Sequence, residues 1–265
     1  MLIHNFNPVA IYLFELEIRW YSLAYIFGII FGWAYAKNII KKTAKINTDE
    51  HLSLTKNLDD LIPYLIIGMI LGGRIGYVLF YNLDYYKNNL LEILYLWNGG
   101  MSFHGGLIGI FISIFFFSKK NKISHFYFMD IISLVSPIGI FFGRLANFIN
   151  AELVGKKTDL PWGIVFPQYD KFLRHPSQIY EALLEGIILF FILNFLAFKK
   201  KNIFIKGKIS GFFLICYSIL RIFSEIFREP DEQIGYIFYY ISLGQVLSFV
   251  MLIFGFVLIF KKNEI

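Results

Sequence analysis

The sequence predicts an all-α membrane protein, a polytopic bundle of about seven transmembrane helices with an ordered outer loop region. Of the 265 residues, 57% are hydrophobic and only 17% are charged, and the mean hydropathy is +0.60. The apolar residues fall in runs of about 20, the length that a helix needs to cross a hydrocarbon layer about 30 Å thick. A soluble protein with a very large core is the alternative, but it does not explain runs of this length.

Run length and flanking residues divide the chain into seven spans. They are 20–40, 61–81, 102–118, 127–147, 178–198, 209–227 and 238–260. The third is the weakest, because the break at 97–100 would also suit a short segment that re-enters the membrane. We expect residues 1–265 to form a single integral membrane domain, with 149–177 as a loop or cap of ordered turns on the outer side.

The lysine and arginine residues predict the orientation. Fifteen of the 25 lie in or beside one set of loops: Lys37, Lys41, Lys42, Lys45, Lys56, Lys119, Lys120, Lys122, Lys199, Lys200, Lys201, Lys206, Lys208, Lys261 and Lys262. Only seven lie on the opposite side: Arg19, Lys87, Lys156, Lys157, Lys171, Arg174 and Arg228. Positive residues prefer cytoplasmic loops, so we expect the N-terminus outside and the C-terminus inside.

Composition also argues against several other functions. The net charge of +6 and the pI near 9.1 would suit nucleic acid, but the lysines cluster between apolar runs, so we expect no nucleic-acid partner. Cys216 is the one cysteine, which excludes a disulfide within the chain and any cysteine-based metal site. The histidines have no ligand spacing, so we expect neither a metal ion nor a cofactor.

An arginine stands near the end of the fourth span. Arg144 and Asn147 are three residues apart and therefore share a helix face. An arginine at membrane depth costs about 2.5–3.5 kcal/mol on insertion scales, so something must offset it. An ion pair with Glu152, Glu181 or Glu225 that only holds the bundle together is one explanation. A functional site is the other, and we favour it because ionisable residues inside membranes are usually functional.

A polar stripe runs along the sixth span. Tyr217, Arg221 and Glu225 recur every four residues and project from one side of the helix. A guanidinium group is a planar fork that fits phosphate oxygens. Arg144 and Arg221 would therefore suit the phosphate of a lipid headgroup. The alternative is a structural pair between Arg221 and Glu225 within one helix.

Four glycines surround His104 at the start of the third span. They let backbones approach and leave the imidazole accessible, and histidine can act as a general base near neutral pH. A histidine that only packs in the core is the other interpretation. Glycines four residues apart beside Arg74 indicate helix packing, so we regard Arg74 as structural before catalytic. Tyr21 is either an interfacial anchor or a substrate contact, and Glu181 lies one turn inside its span, where it could balance an arginine.

The segment Gly143–Gly155 carries a specific motif. It fits the pattern Gly-Arg-x-(Gly/Ala)-Asn-Phe-x-Asn-x-Glu-x-x-Gly of the bacterial prolipoprotein diacylglyceryl transferases at every specified position, so the chain resembles that family. Other segments resemble the family in the same order, and the resemblance covers essentially the whole chain: Arg19–Tyr21, Gly72–Arg74, His104–Gly106, His175–Glu181, the Tyr217/Arg221/Glu225 stripe and Arg228–Asp231. Ala151 and Lys156 stand where relatives often carry glycine and arginine.

The resemblance implies a multi-pass enzyme of the bacterial inner membrane, with its N-terminus periplasmic and its C-terminus cytoplasmic. The family transfers the diacylglyceryl group of phosphatidylglycerol to the lipobox cysteine thiol of a prolipoprotein. A thioether forms and glycerol 1-phosphate leaves, which is the first step of lipoprotein maturation. The implied partners are therefore phosphatidylglycerol and prolipoprotein signal peptides with a lipobox cysteine.

The resemblance and the residue chemistry together predict the roles. The expected catalytic residues are His104, Arg144, Arg221 and Tyr217, and the expected substrate-binding residues are Tyr21, Asn147, Glu152, Gly155, Glu181 and Glu225. In this hypothesis the two arginines grip the phosphate and the glutamates Glu152 and Glu225 orient them. His104 takes the thiol proton or orients a group that does. The base stays open, because the positive field of two arginines could lower the pKa of the thiol without an acceptor.

Two other classes of protein also bury charge in a membrane. A transporter would do so, but the sequence has no evident inverted repeat or pair of broken spans. A lipid-binding scaffold without chemistry would explain the arginines but not the histidine among glycines.

Overall fold

A computed structural model describes residues 2–14, 16–43, 48–230, 235–237 and 240–260. Four residues of the orientation and motif arguments, Lys45, Asp231, Lys261 and Lys262, lie outside these ranges, as do residues 238–239 of the last predicted span.

Helices make up most of the described chain, and the strands are short. The labelled elements are β1 (Leu2–Ile3), β2 (Val9–Leu13), β3 (Leu16–Arg19), α1 (Trp20–Thr43), α2 (Thr48–Phe80), α3 (Leu83–Asn88), α4 (Phe103–Asn121), α5 (His125–Ile149), β4 (Ile164–Val165), β5 (Leu173–Arg174), α6 (Ser177–Glu181), α7 (Leu189–Asn194), α8 (Lys208–Ser224), β6 (Tyr236–Ile237), β7 (Ile241–Ser242) and α9 (Leu243–Phe260). Short 3₁₀ helices lie at Leu90–Leu94, Leu96–Asn98 and Asn202–Phe204. π-Helical turns at Ala182–Ile188 and Phe195–Lys199 continue α6 and α7 as one rod from Ser177 to Lys199.

The all-α polytopic class is confirmed, and the count of seven spans is approximate. Six helices of the described residues are long and apolar enough to cross a membrane: Trp20–Thr43, Leu52–Phe80, Phe103–Asn121, His125–Ile149, Ser177–Lys199 and Leu243–Phe260. α8 matches the sixth predicted span but has 17 residues, the lower limit of spanning length. α2 begins well before residue 61, because helix formation continues through polar residues that hydropathy does not count.

The described residues form two compact units, one within 1–39, 130–231 and 235–265, the other within 40–129. In the first unit, α1 meets α5 where a Cβ on Gly28 would lie 3.1 Å from the Cα of Gly139. The buried Asp130 carboxylate accepts hydrogen bonds from the Gly207 amide at 2.7 Å and from the Ser210 amide at 2.8 Å. These bonds cap the first turn of α8 and fix it to α5.

Paired strands also belong to the first unit. β2 and β3 form an antiparallel hairpin that leads directly into α1. β1 pairs in parallel with β4, and β4 pairs antiparallel with β5. The segment from 149 to 177 therefore contains strands and turns that tie it to the N-terminal residues.

In the second unit, α2 and α4 pack backbone against backbone. A Cβ on Gly72 would lie 2.8 Å from the Cα of Gly109, and one on Gly76 would lie 2.7 Å from the Cα of Gly105. The hydroxyl of Ser102 caps α4 by accepting from the Gly105 amide at 3.2 Å. The glycines four residues apart thus serve helix packing, as expected.

Arg74 lies on α2 and has a structural role in this unit. Its guanidinium donates to the carbonyls of Ile93 at 2.8 Å, Glu92 at 2.6 Å and Tyr95 at 3.2 Å. It also donates to the carbonyls of the glycine pair 99–100. Arg74 therefore shapes the segment between α3 and α4, the segment that leads to His104.

Candidate active site

Two glutamates project from the rod Ser177–Lys199 into the first unit. Glu181 ends α6, and Glu185 lies four residues later in the π-helical turn. Both are at most 1% exposed. π-Helical turns are uncommon and often occur at functional sites. Two buried carboxylates this close together require cations beside them.

Arg144 supplies one of these cations from the last turns of α5. Its Nη1 lies 2.8 Å from Oε2 of Glu181, and its Nη2 lies 3.0 Å from Oε2 of Glu185. The two ends of one guanidinium fork therefore contact two different carboxylates.

Arg221 on α8 approaches the same glutamates. Its Nη1 lies 3.0 Å from Oε1 of Glu181 and 3.2 Å from Oε1 of Glu185. Its Nη2 lies 2.5 Å from Oε2 of Glu225, four residues later at the C-cap of α8. Arg228 adds a longer contact, with its Nη1 3.6 Å from Oε1 of Glu181.

These residues form one cluster, which we call the Arg–Glu cluster: Arg144, Glu181, Glu185, Arg221, Glu225 and Arg228. Its three positive and three negative charges cancel. A single buried charge would be costly in this apolar bundle, whereas complementary charges with good geometry offset much of that cost. The ion pairs of Arg144 with Glu181 and of Arg221 with Glu225, which the sequence offered as structural alternatives, are both present.

Glu225 also connects α8 to the start of α9. Its Oε1 accepts a hydrogen bond from the Ser242 hydroxyl at 3.0 Å. A Cβ on Gly244 would lie only 2.9 Å from the same oxygen, so the carboxylate reaches α9 because Gly244 has no side chain.

Tyr217 lies one turn before Arg221 on α8 and is completely buried. Its ring stacks on Phe213 with the centroids 5.7 Å apart. The polar stripe predicted for this span therefore faces the interior of the first unit.

A second group of predicted residues meets at the end of α5. The Asn147 amide donates to the Tyr21 hydroxyl at 3.4 Å and to Oε2 of Glu152 at 3.2 Å. Asn150 donates to Oε1 of Glu152 at 3.3 Å. Pairing of Glu152 with an arginine of the cluster is therefore not the arrangement found. The chain leaves α5 through left-handed conformations at 151 and 153, which turn the Glu152 carboxylate back toward Asn147.

Gly155 is needed for backbone pairing. Its amide donates to the His175 carbonyl at 3.1 Å, and its carbonyl accepts from Arg174 Nη1 at 2.8 Å. A Cβ on Gly155 would lie 2.7 Å from the Cβ of His175. The Lys156 amide donates to the Phe227 carbonyl at 2.8 Å on the other side. Residues 155–156 therefore link the turn after α5 to the residues that follow α8.

Arg174 is the centre of a polar group that the sequence did not single out as a site. Its guanidinium contacts Asp170 at 2.6 Å and Glu229 at 2.9 Å. Hydrogen bonds from Arg174 lower the pKa of the Asp170 carboxyl below its ordinary value. Burial, together with the nearby Lys156 ammonium, lowers the pKa of His175.

His104 belongs to the second unit. It lies in the first turn of α4, half-buried, with its ring edge-on to Phe103 and the centroids 5.5 Å apart. Within the described ranges, no group of three or more histidine, cysteine or acidic side chains is placed to hold a metal ion.

Sequence reasoning missed Glu185 and Ser224. Glu185 contacts both arginines, and the Ser224 hydroxyl donates to its Oε1 at 2.9 Å. The signal for Glu185 was available, because a second glutamate four residues after Glu181 in an apolar span is as costly as the first. Ser224 gave no such signal, since serine is common in membrane helices.

Fold and site together define a class: a multi-pass membrane protein with a neutral Arg–Glu cluster buried among its helices. The family model described as prolipoprotein diacylglyceryl transferase matches residues 8–261, so the chain belongs to that family. The chain is similar to proteins named phosphatidylglycerol–prolipoprotein diacylglyceryl transferase. It is 49% identical to the one from Rickettsia bellii (strain OSU 85-389) over 263 residues, which cover 99% of this chain and 98% of the relative. It is 48% identical to the one from Rickettsia typhi (strain ATCC VR-144 / Wilmington) over 264 residues and the full length of both.

Proposed function

We propose that this protein transfers the diacylglyceryl group of phosphatidylglycerol to the lipobox cysteine thiol of a prolipoprotein. One observation carries the proposal: Arg144 and Arg221, from different helices, are held together by shared glutamates at membrane depth. Two such forks suit a lipid phosphodiester. The names of the relatives, which include phosphatidylglycerol and prolipoprotein, support the same substrates.

The reaction is a substitution at the carbon of the diacylglyceryl group that is bonded to a phosphate oxygen. The cysteine sulfur forms a bond to this carbon as the carbon–oxygen bond breaks. The electron pair of that bond leaves on the phosphate oxygen, so glycerol 1-phosphate departs and a thioether remains. The thiol, with an ordinary pKa of about 8.5, must lose its proton to become a good nucleophile.

The arginines act on the leaving group in this proposal. Guanidinium groups stabilise the negative charge that grows on the phosphate as the bond breaks. In the free protein Arg144 and Arg221 already contact carboxylates. The guanidinium groups therefore have anions beside them before a phosphate arrives and do not pass through an unpaired state in the membrane.

The remaining predicted residues would orient the substrates. Tyr217 lies next to Arg221 along α8 and would donate to the headgroup. Asn147 would do the same, held in place by Tyr21 and Glu152. Gly155 keeps its segment close to the residues that follow α8 through backbone pairing.

His104 is our candidate for the acceptor of the thiol proton. Histidine takes and releases protons near neutral pH, as a general base must. Gly105 packs against the backbone of α2 and so fixes the turn of α4 that carries the imidazole.

We further propose that residues 1–265 act as one domain of the bacterial inner membrane. In this arrangement the N-terminus and residues 149–177 are periplasmic and the C-terminus is cytoplasmic. The lysine distribution supports this orientation. The substrate thiol of an exported protein would then reach the site from the periplasm.

A transfer assay tests the function. The full-length protein in membranes is incubated with phosphatidylglycerol labelled in its acyl chains and with a lipobox peptide. We expect label on the peptide, and none when serine replaces the peptide cysteine or when Arg144→Ala replaces the native protein. A transporter would move labelled lipid without modifying the peptide, and a scaffold would only retain it, so an unlabelled peptide would refute the proposal.

A further inference from the structure

Glu185 bridges Arg144 and Arg221 within the Arg–Glu cluster, as Glu181 does four residues before it. It is completely buried, and its two oxygens have different partners. Oε2 accepts from Arg144 at 3.0 Å, and Oε1 accepts from Arg221 at 3.2 Å. One carboxylate thus connects α5 to α8. Because like-charged guanidinium groups repel, a shared anion between them is what allows them to stay close.

The environment fixes this carboxylate in its orientation. The Ser224 hydroxyl donates to Oε1 of Glu185 at 2.9 Å and also contacts the Arg221 carbonyl at 3.0 Å. The π-helical turn Ala182–Ile188 carries Glu185 toward the arginines. Gly186 allows this turn to approach α5, because a Cβ on Gly186 would lie 2.7 Å from the Cβ of Phe141.

Glu185 also matters through its charge. The charges of the Arg–Glu cluster cancel in the free protein, and loss of one carboxylate would leave the cluster with a net positive charge. Such a site would bind an anionic lipid more tightly. It would also hold the phosphate that leaves, and a site that binds the ground state and the product tightly turns over slowly.

We propose that Glu185 is a positioning residue for the transfer: it holds the guanidinium groups of Arg144 and Arg221 side by side and keeps their combined charge low enough for the phosphate product to leave. The inference rests on the proposed function. It adds a residue whose effect is exerted through the arginines and not through contact with the reacting atoms.

The central experiment uses Glu185→Gln in the full-length protein in nanodiscs. It measures kcat, the KM for phosphatidylglycerol and the equilibrium affinity for the same lipid. We expect kcat to fall at least about tenfold, while KM and the dissociation constant fall at least about threefold because the site gains positive charge. A residue that only supports the fold would reduce the active fraction and leave both constants unchanged.

Two further variants separate charge from geometry. Glu185→Asp keeps the charge but is one methylene shorter, so it cannot reach both arginines. We expect a lower kcat without tighter lipid binding. Ser224→Ala removes one hydrogen bond to the Glu185 carboxylate and keeps its charge, so we expect a smaller loss of kcat, about two- to fivefold. Ser218→Ala is the matched control, because Ser218 is a buried serine of the same helix whose hydroxyl has no hydrogen-bond partner among the described residues. It should match the wild type.

Two results would overturn the inference. One is a wild-type kcat in Glu185→Gln. The other is a lower kcat in the same variant together with an unchanged or weaker affinity for phosphatidylglycerol. If Glu185→Gln does not fold, the Ser224→Ala variant tests the inference in its place. A wild-type kcat in Ser224→Ala would then contradict the positioning role of Glu185. Wild-type protein that transfers no label refutes the proposed function separately. The lipid affinity of Glu185→Gln would then still decide whether Glu185 tunes the charge of the site.

Discussion

Arg74, Arg144 and Arg221 are all largely buried in helices, yet their guanidinium groups have different partners. Arg74 donates to backbone carbonyls of the segment between α3 and α4. Arg144 and Arg221 contact carboxylates. Carbonyl oxygens are fixed by the backbone, whereas a carboxylate can be replaced by another anion. This difference separates the structural arginine from the two that we assign to the phosphate.

Arg221→Lys should reduce kcat/KM for phosphatidylglycerol at least about tenfold, although the positive charge is kept. Lysine is a point charge and cannot contact Glu181, Glu185 and Glu225 with a planar fork. Hydrogen bonds to charged groups contribute about 1.5–3 kcal/mol, and about 1.4 kcal/mol corresponds to tenfold. The transfer assay with purified protein measures kcat/KM, and Arg19→Lys, at an exposed arginine, is the control. Near-normal turnover of Arg221→Lys would mean that bidentate phosphate recognition is the wrong account.

His104→Gln tests the proposed proton acceptor. Histidine ordinarily titrates near pH 6.5. If His104 accepts the thiol proton, kcat/KM of the wild type rises with pH through this range, and the rise disappears in His104→Gln. Rates are measured between about pH 5.5 and 8 on protein with an unchanged melting temperature. An identical pH profile in the two proteins would exclude His104 as the titrating base.

The sequence predicted much of the candidate site because charge is costly in a membrane. Arg144, Glu181, Arg221 and Glu225 were each identified from polarity and helical spacing, and they meet in the cluster. The partner of Glu152 was not predictable in this way. It depends on left-handed backbone conformations just beyond α5, and no hydropathy or helical pattern encodes those.

Among the elements, α2 and α4 depend most directly on residue size. Their glycines bring the two backbones together, and a Cβ on Gly109 would lie 3.1 Å from the Cα of Gly72 and still closer to the Gly68 carbonyl. Neither backbone can shift without moving its helix.

Gly109→Ala should therefore destabilise the protein by about 1–3 kcal/mol, the usual cost of overpacking. A fall of several degrees in the melting temperature in detergent would reveal it. Gly139→Ala is the control, since a Cβ there meets no atom within 4 Å. Equal melting temperatures for the two variants would show that the α2–α4 contact accommodates an added methyl group.

The group around Arg174 predicts a pH dependence. Asp170 has a lowered pKa, so its contact with Arg174 adds stability above the ordinary value of about 3.9 and loses it as the pH falls through the lowered pKa. Asp170→Asn should lower the melting temperature at pH 7, and the gap from the wild type should close below about pH 4. Asp159→Asn, an exposed acidic residue of the same segment, serves as control. A gap that stays constant with pH would contradict this assignment.

At the scale of the whole molecule, the sequence predicted the helical class and the approximate span positions. The ends of the predicted spans 127–147 and 178–198 agree with the ends of the observed helices to within two residues, because the bilayer requires an apolar helix of a certain length. The short strands β1, β4 and β5 were not predicted, since two-residue strands have no periodicity to detect.

The proposed orientation is tested with single cysteines. In a Cys216→Ser background, a cysteine at Asp159 should react with a membrane-impermeant maleimide in spheroplasts. A cysteine at Lys119 should react only after lysis. Both positions are exposed, so access depends on the side of the membrane and not on burial. The opposite pattern would reverse the orientation inferred from the lysines.

The Arg–Glu cluster has a consequence for how the chain enters the membrane during synthesis. α5 brings Arg144 into the bilayer before either of its glutamate partners has been made, and Arg221 follows only after both. The rod Ser177–Lys199 is the counterpart that both arginine helices require. A nascent chain that ends after α5 carries an arginine without its counter-ions. The cost of placing Arg144 in the bilayer is therefore offset only when the rod Ser177–Lys199 has also been inserted. Biogenesis of this protein is therefore ordered, and the helix with two glutamates is the step on which it depends.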